Sequence, residues 1–412
     1  MRTRHVIALI AAIAGGAFAN QDSLSDDAAL DAGAFDRSLT AGKAVDRTNK
    51  LEYLPGASFV SEADGYLPES GGYGADERFY GKAFLKATKA DLGSLYAGCN
   101  FTYFLYAAAN NEFFRAFYQA QSPDPSSISA ALSEAHFSFD IRKRVFVRVG
   151  QQLIKWGASY FWTPEDFINL QRAQATVLSP VDVRVGKPGL RIHVPIRSAN
   201  LFLFTDFSAV TRNKIAGDLA HEVAQAWRLD GTIAGVNIGT VGYVSKKGPT
   251  HIGLDATGNL LATDVYGELA LTFQRNTSAA YAFSLGAARP FGQEKNWTVR
   301  GEFYYNDTGY GDTGLSRTTP GSFTPFYSGK YYAYAELSGT GLLKSTFGVS
   351  LFGIMNLADL SYSPPLQCSF DLPRIVPFSL YARYFGGRKN RELTSAFGGS
   401  GWQLGLRIVV EL

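Results

Sequence analysis

Three observations in the sequence predict an all-β fold, a transmembrane antiparallel up-and-down β-barrel of 14 or 16 strands. They are an aromatic- and glycine-rich composition, a period-2 alternation that recurs along the chain, and an amphipathic segment running to the last residue. The 412 residues include 30 Phe, 22 Tyr, 5 Trp and 43 Gly but only 2 Met, and the mean hydropathy is −0.06. Aromatic residues favour strands and glycine favours turns, so the class is all-β.

The N-terminus has the form of an export signal. Arg2 and Arg4 precede an apolar stretch from Val6 to Ala14, and Ala17-Phe18-Ala19 forms a small-residue cleavage site. Residues 1–19 are therefore expected to be a signal peptide; the apolar run is too short for a spanning helix, which needs roughly 20 residues. Cleavage after Ala19 removes Arg2 and Arg4 from the 39 basic residues, leaving 37 against 36 acidic and a net charge of +1 in place of +3. Residues 20–76, with Asp22, Asp26, Asp27, Asp31 and Asp36 and then Gly71-Gly72, predict an N-terminal periplasmic arm, or alternatively a plug inside the barrel. Residues 77–412 are assigned to the barrel.

Within that range each strand has one polar and one apolar face. Glu134, His136, Ser138, Asp140 and Arg142 alternate with Ala135, Phe137, Phe139 and Ile141, and a turn at Arg142-Lys143-Arg144 leads into Val145, Val147 and Val149. Lys187, Gly189, Arg191, His193 and Arg197 alternate with Leu190, Ile192, Val194 and Ile196. Further on, Arg300, Glu302 and Tyr304 oppose Val299, Gly301 and Phe303, and at the C-terminus Trp402, Leu404, Leu406, Ile408, Val410 and Leu412 take every even position. In all, about 15 such segments are found, and closed bacterial barrels have even strand numbers.

A single segment of this kind would suit a soluble sandwich, but the whole set would not. A barrel of roughly 16 strands encloses a lumen too wide for side chains to fill, so the charged face is the wet interior and the apolar face meets lipid. Closure follows because unpaired backbone groups in hydrocarbon cost several kcal/mol each. Tyr103, Tyr106, Trp156, Trp227, Trp297 and Trp402 near strand ends are expected to form the interfacial girdle, and Cys99 and Cys368 to be unpaired thiols. The final strand matches the pattern read by barrel-insertion machinery, with Leu412 in place of the commoner aromatic.

The inward register selects the candidate pore-lining residues Arg142, Arg144, Arg148, Arg191, Arg197, Arg300, Glu134, Asp140 and Glu302. Residues 107–131, 308–327 and 357–374 read as long outer loops. Residues 157–186 are aromatic, lack alternation and are long, so they read either as an ordered outer loop or as a constriction folded into the lumen, with Trp162, Glu165, Asp166 and Asn169 as its candidate residues.

The stretch Arg148-Val149-Gly150-Gln151-Gln152, then Lys155-Trp156-Gly157, Thr163-Pro164-Glu165-Asp166-Phe167-Ile168-Asn169 and Gly189-Leu190-Arg191 resembles porin-like outer-membrane barrels related to alginate-export-type proteins. It departs from that pattern at Leu170, where a Pro commonly follows the Asn. The resemblance implies an outer-membrane channel. Charged rings bias what a pore admits, and the inward cations outnumber the inward anions, so passive passage of small polar or anionic solutes is expected. The expected partners are the outer-membrane bilayer, the insertion machinery and small polar solutes, with no nucleic acid.

The alternative reading is a surface adhesin or antigen that uses the barrel as a platform; an outer-membrane hydrolase is a third. No Gly-x-Ser-x-Gly elbow, His-Glu-x-x-His or Cys-x-x-Cys pattern occurs, so no catalytic residue, metal or cofactor is assigned.

Overall fold

The computed structural model describes residues 50–109, 126–168, 184–208, 223–246, 248–274, 278–292, 294, 296–311, 329–342, 346–370, 377–388, 391–394 and 399–412. Every regular element among them is a strand: β1 (Leu51–Pro68), β2 (Tyr73–Lys89), β3 (Gly93–Ala109), β4 (Ser126–Ile141), β5 (Val145–Gln152), β6 (Lys187–Ile196), β7 (Ala199–Asp206), β8 (Ala224–Ile233), β9 (Val236–Val244), β10 (Thr250–Leu260), β11 (Thr263–Phe273), β12 (Ala280–Phe291), β13 (Trp297–Asn306), β14 (Tyr331–Leu342), β15 (Phe347–Asn356), β16 (Ser361–Ser363), β17 (Pro365–Phe370), β18 (Phe378–Phe385) and β19 (Gly401–Glu411). Strands adjacent in the wall are antiparallel neighbours in sequence, and β1 pairs both β2 and β19, which closes the sheet on itself.

β16 and β17 are two halves of one wall strand. Both pair with β15, and the register from Ile354–Ser363 to Leu351–Leu366 continues unbroken across Pro364. The same holds on the other side, where Tyr362 faces Gly386 and Pro365 faces Arg383. Proline donates no ladder hydrogen bond, so it interrupts the assignment without moving the chain. The wall therefore has 18 strands, which corrects the expected 14 or 16.

Three strands account for the difference. β1 and the start of β2 occupy residues assigned to the N-terminal arm, because Pro55, Gly56 and Gly65 and the inward acids Glu62 and Asp64 hide the alternation. β10 is short of bulky inward residues, with Gly253 and Gly258 inside it. Pro364-Pro365 made β16 and β17 read as loop. Residues 20–49, most of 308–327 and the turn position His221 lie outside the described residues.

The two faces follow the predicted parity. Leu203, Leu285, Val299, Leu351 and Leu404 project outward and are exposed, while Arg191, His193, Asp206, Glu268, Glu302, Gln403 and Arg407 turn inward and are buried. Cys99 and Cys368 are free thiols. Trp402 is 47 % exposed, as a girdle residue should be, but Trp156 is buried in the lumen and does not belong to the girdle.

Hairpin turns at one end are tight. Arg142 and Lys143, Arg197, Ala234 and Gly235, and Leu261 and Ala262 all have positive φ, the left-handed conformation that two- and three-residue hairpin loops require. That end also carries the start of β1 and Leu412, whose amide donates to the Ala57 carbonyl at 2.8 Å. Long connections leave from the other end, and in bacterial barrels that end faces outward from the cell.

Candidate functional site

The connection from β5 to β6 is the longest that the wall makes, and its described first half, residues 153–168, enters the lumen. Ile154, Trp156, Phe167 and Ile168 pack on Phe202 and Phe204 of β7, Ala226 of β8, Val241 of β9 and Ala270 of β11, all inward positions. Trp162 is completely buried with Tyr304, Tyr332, Tyr334 and Phe352 from β13 to β15. Its ring lies parallel to that of Tyr304 at 5.4 Å. The segment thus touches both flanks of the wall, packing on inward apolar and aromatic side chains within an inner face that also carries buried charges such as Arg191, Glu268 and Glu302.

Wall carboxylates hold its backbone. Glu302 accepts the amides of Tyr160, Phe161 and Trp162 at 3.2, 3.1 and 2.7 Å, and also the Tyr266 hydroxyl at 3.0 Å. Glu268 accepts the amides of Ser159 and Glu165 at 2.5 and 3.2 Å. Gly157 makes this approach possible: its φ is +123°, and a Cβ there would stand 2.6 Å from Glu268 Oε1. Pro164 then leads a tight turn closed by the Asp166 amide donating to the Thr163 carbonyl at 3.1 Å, with proline's fixed φ suited to that position.

The turn delivers Glu165 to the wall. Arg228 of β8 donates two hydrogen bonds to Asp255 of β10, at 2.8 and 3.0 Å, and one to Asp230 at 3.1 Å. Its Nη1 is 3.7 Å from Glu165 Oε2. Burial, with the Asp255 and Glu268 carboxyls alongside, pushes the Glu165 carboxyl up to about 10. Asp166 pairs instead with Arg184, which lies just before β6, at 2.9 Å. Asn169 lies outside the described residues.

The candidate pore-lining residues separate into two groups. Glu134 accepts from Lys82 at 2.7 Å and from the Leu153 amide at 3.2 Å, where the segment departs from the wall. Arg148 and Arg191 face each other across β5 and β6, with Arg148 Nε donating to Ser138 at 3.2 Å and Arg191 lying over the Phe202 ring at 5.0 Å. Arg300 pairs with Glu336 at 2.6 Å and stacks 3.4 Å from the Tyr160 ring, beside Glu302.

Arg142, Arg144 and Arg197 belong elsewhere. They are exposed in the tight turns at the barrel end, and the parity that placed them in the lumen stops where the ladder stops. Asp140 is drawn to the same turn by Lys143, 2.6 Å away. Asp255 gives only a faint signal in the sequence: His251, Gly253 and Asp255 alternate with Ile252, Leu254 and Ala256, but the run is brief and interrupted by glycine.

No family model matches the chain, and no curated protein matches it. Solved structures do share its fold. OccAB1 of Acinetobacter baumannii aligns with a TM-score of 0.50 and 11% identity over 87% of this chain and 97% of that one. The outer membrane protein opdK of Pseudomonas aeruginosa gives 0.54 and 7% over 88% and 98%. A BenF-like porin of Pseudomonas fluorescens Pf-5 gives 0.53 and 9% over 88% and 98%. The fold is that of outer-membrane porins. The likeness to alginate-export-type barrels rests on the local motif alone.

At the outer end a second piece of chain docks against the same aromatic cluster. Glu392 is buried and accepts from Tyr332 Oη at 2.5 Å and Asn356 Nδ2 at 2.7 Å, and its amide donates to Asp359 at 2.8 Å. Tyr332 therefore touches Trp162 on one side and Glu392 on the other. Tyr332 thus links the segment to Glu392.

Proposed function

We propose that the chain forms an outer-membrane channel for passive passage of small polar or anionic solutes, narrowed by residues 153–168. The observation that carries this reading is an 18-stranded closed wall with a polar inner face, since barrels of 16 to 18 strands leave an aqueous path where smaller ones are filled by side chains. The apolar outer face supports a place in the membrane, and the N-terminal residues 1–19 support export as a signal peptide, with part of 20–50 as a periplasmic arm.

Arg148 and Arg191 are the basis for the anion preference. The two guanidiniums stand opposite each other on neighbouring strands of the inner face, and charged groups lining a pore bias what it admits. Trp162, Glu165 and Asp166 seat the narrowing segment, with Asn169 assigned to it on sequence alone.

Reconstitution of the full chain in planar bilayers tests the reading. A stable ohmic conductance with a reversal potential of anion-selective sign is expected in a salt gradient; absence of conductance would overturn the channel, and cation selectivity the anion preference.

A further inference from the structure

Glu165 has none of its surface exposed, and neither of its carboxylate oxygens accepts a hydrogen bond among the described residues. An ionised carboxylate in that state is strongly disfavoured. The charged groups around it come from four elements. β8 supplies Arg228, already committed to Asp255 and to Asp230. β10 supplies Asp255, Gly253 and His251; a Cβ on Gly253 would meet Glu165 Oε1 at 2.4 Å, and His251 stacks on Phe167 at 4.5 Å. β11 supplies Glu268, occupied by the two segment amides. The segment itself supplies Asp166, which Arg184 neutralises.

Around Glu165, among the described residues, the Asp166–Arg184 pair is neutral in itself, and the Asp255 and Glu268 carboxyls face it with the Arg228 guanidinium between Glu165 and Asp255. Among the described residues no group of three His, Cys, Asp or Glu side chains is arranged to hold a metal ion. A proton would suit the site: a neutral Glu165 gains an O–H donor, and the Asp255 carboxylate is beside it, the two standing 3.7 and 2.8 Å from the same Arg228 Nη1.

We propose that Glu165 and Asp255 form a proton-binding site whose occupancy seats residues 153–168 against the wall, so that loss of this proton releases the segment. On ionisation the Glu165 O–H bond breaks, its electron pair stays on the carboxylate and the proton passes to hydroxide or a buffer base in the lumen water. The new carboxylate then confronts Asp255 and Glu268, and Arg228, whose Nη1 stands 3.7 Å from Glu165 Oε2, already divides its one positive charge between Asp255 and Asp230.

The direction in pH follows from linkage. In the released segment Glu165 meets water and has an ordinary carboxyl pKa of about 4.3; seated, it is pushed up to about 10. A group raised in the seated form contributes its full stabilisation below the ordinary value and loses it as pH rises toward the seated one. Between those limits the ratio of seated to released falls about tenfold per pH unit.

The effect on conductance rests on the channel reading, whereas seating itself can be measured without it. Hydrogen exchange of the Ser159 to Trp162 amides is followed in the full chain in detergent micelles between pH 5 and 9, as protection factors corrected for intrinsic rates, beside bilayer conductance over the same range. Wild type is expected to lose protection about tenfold per pH unit and to visit a higher-conductance state more often as pH rises. Glu165→Gln, neutral and of the same shape, is expected to stay protected and pH-independent. A flat wild-type profile, or the same slope in Glu165→Gln, overturns the proton site. A silent bilayer with pH-dependent protection would overturn the channel reading and leave the proton site standing.

Discussion

Glu302 on β13 accepts the backbone amide of Trp162 at 2.7 Å. With the amides of Tyr160 and Phe161 on the same carboxylate, three successive donors of the lumenal segment converge on one wall side chain. Consecutive amides of this kind form an anion-binding nest. Here the anion belongs to the protein, and it decides where the segment sits.

Neutralising that anion should loosen the seat. Hydrogen bonds to charged groups contribute about 1.5–3 kcal/mol each, against about 1 for neutral ones. Glu302→Gln is therefore expected to lower protection of the Tyr160, Phe161 and Trp162 amides by about tenfold or more, while the folded barrel still shows its heat-modifiable gel shift. Unchanged exchange would show that the aromatic cluster alone holds the segment.

Trp162 supplies that cluster. Replacing a buried Trp by Ala costs about 3–5 kcal/mol where the cavity stays open. Trp162→Ala should raise single-channel conductance and make the segment cleavable by added protease, with no change in strand content by circular dichroism. The wall does not depend on this side chain, because each strand is paired on both edges.

Ion selectivity should follow the facing arginines. Arg148→Ala and Arg191→Ala together are expected to move the reversal potential in a salt gradient toward cation selectivity, with each single variant moving it part of the way. Arg142→Ala and Arg197→Ala, in the end turns, should move it less. An equal effect from the turn arginines would place the selective field at the barrel mouth.

Arg228 should matter for stability more than for selectivity. Its removal leaves Asp255 and Asp230 without their cation, and breaking a buried pair by deleting one partner costs about 3–5 kcal/mol. Arg228→Ala is expected to unfold at lower urea concentration than wild type. Arg228→Lys should recover part of the loss, since a single ammonium cannot reproduce the two bonds to Asp255.

The sequence disclosed the wall wherever its information is local. Alternation places Leu203 outside and Phe202 inside, or Val299 outside and Glu302 inside, without knowledge of any neighbour. It failed where a strand's inner face is satisfied from far away. Glu62 and Asp64 of β1 read as acids of a solvated arm, yet Arg407 reaches Glu62 at 2.5 Å, Arg78 reaches Asp64 at 2.9 Å and the Tyr381 hydroxyl also donates to Asp64. No pattern within residues 51–68 announces those partners.

The candidate site was half legible for the same reason. Trp162, Glu165 and Asp166 stood out because aromatic and acidic residues without alternation do not suit a strand or a solvated loop. What fixes them, Glu268, Glu302, Arg228 and Asp255, comes from four other strands. Parity does not apply to Arg142 and Arg197, whose φ of +54° marks where the chain has already turned.

The pairing of β1 with β19 also sets an order of events in time. Val60 lies beside Val409, so the seam joins two strands separated in sequence by all the rest of the wall. Until the last strand arrives, β1 offers an uncapped edge, the kind of edge that recruits other chains. Such an edge needs shelter until the seam closes. The sealing of the lumen from lipid waits on that one seam, across which β1 and β19 exchange their ladder hydrogen bonds.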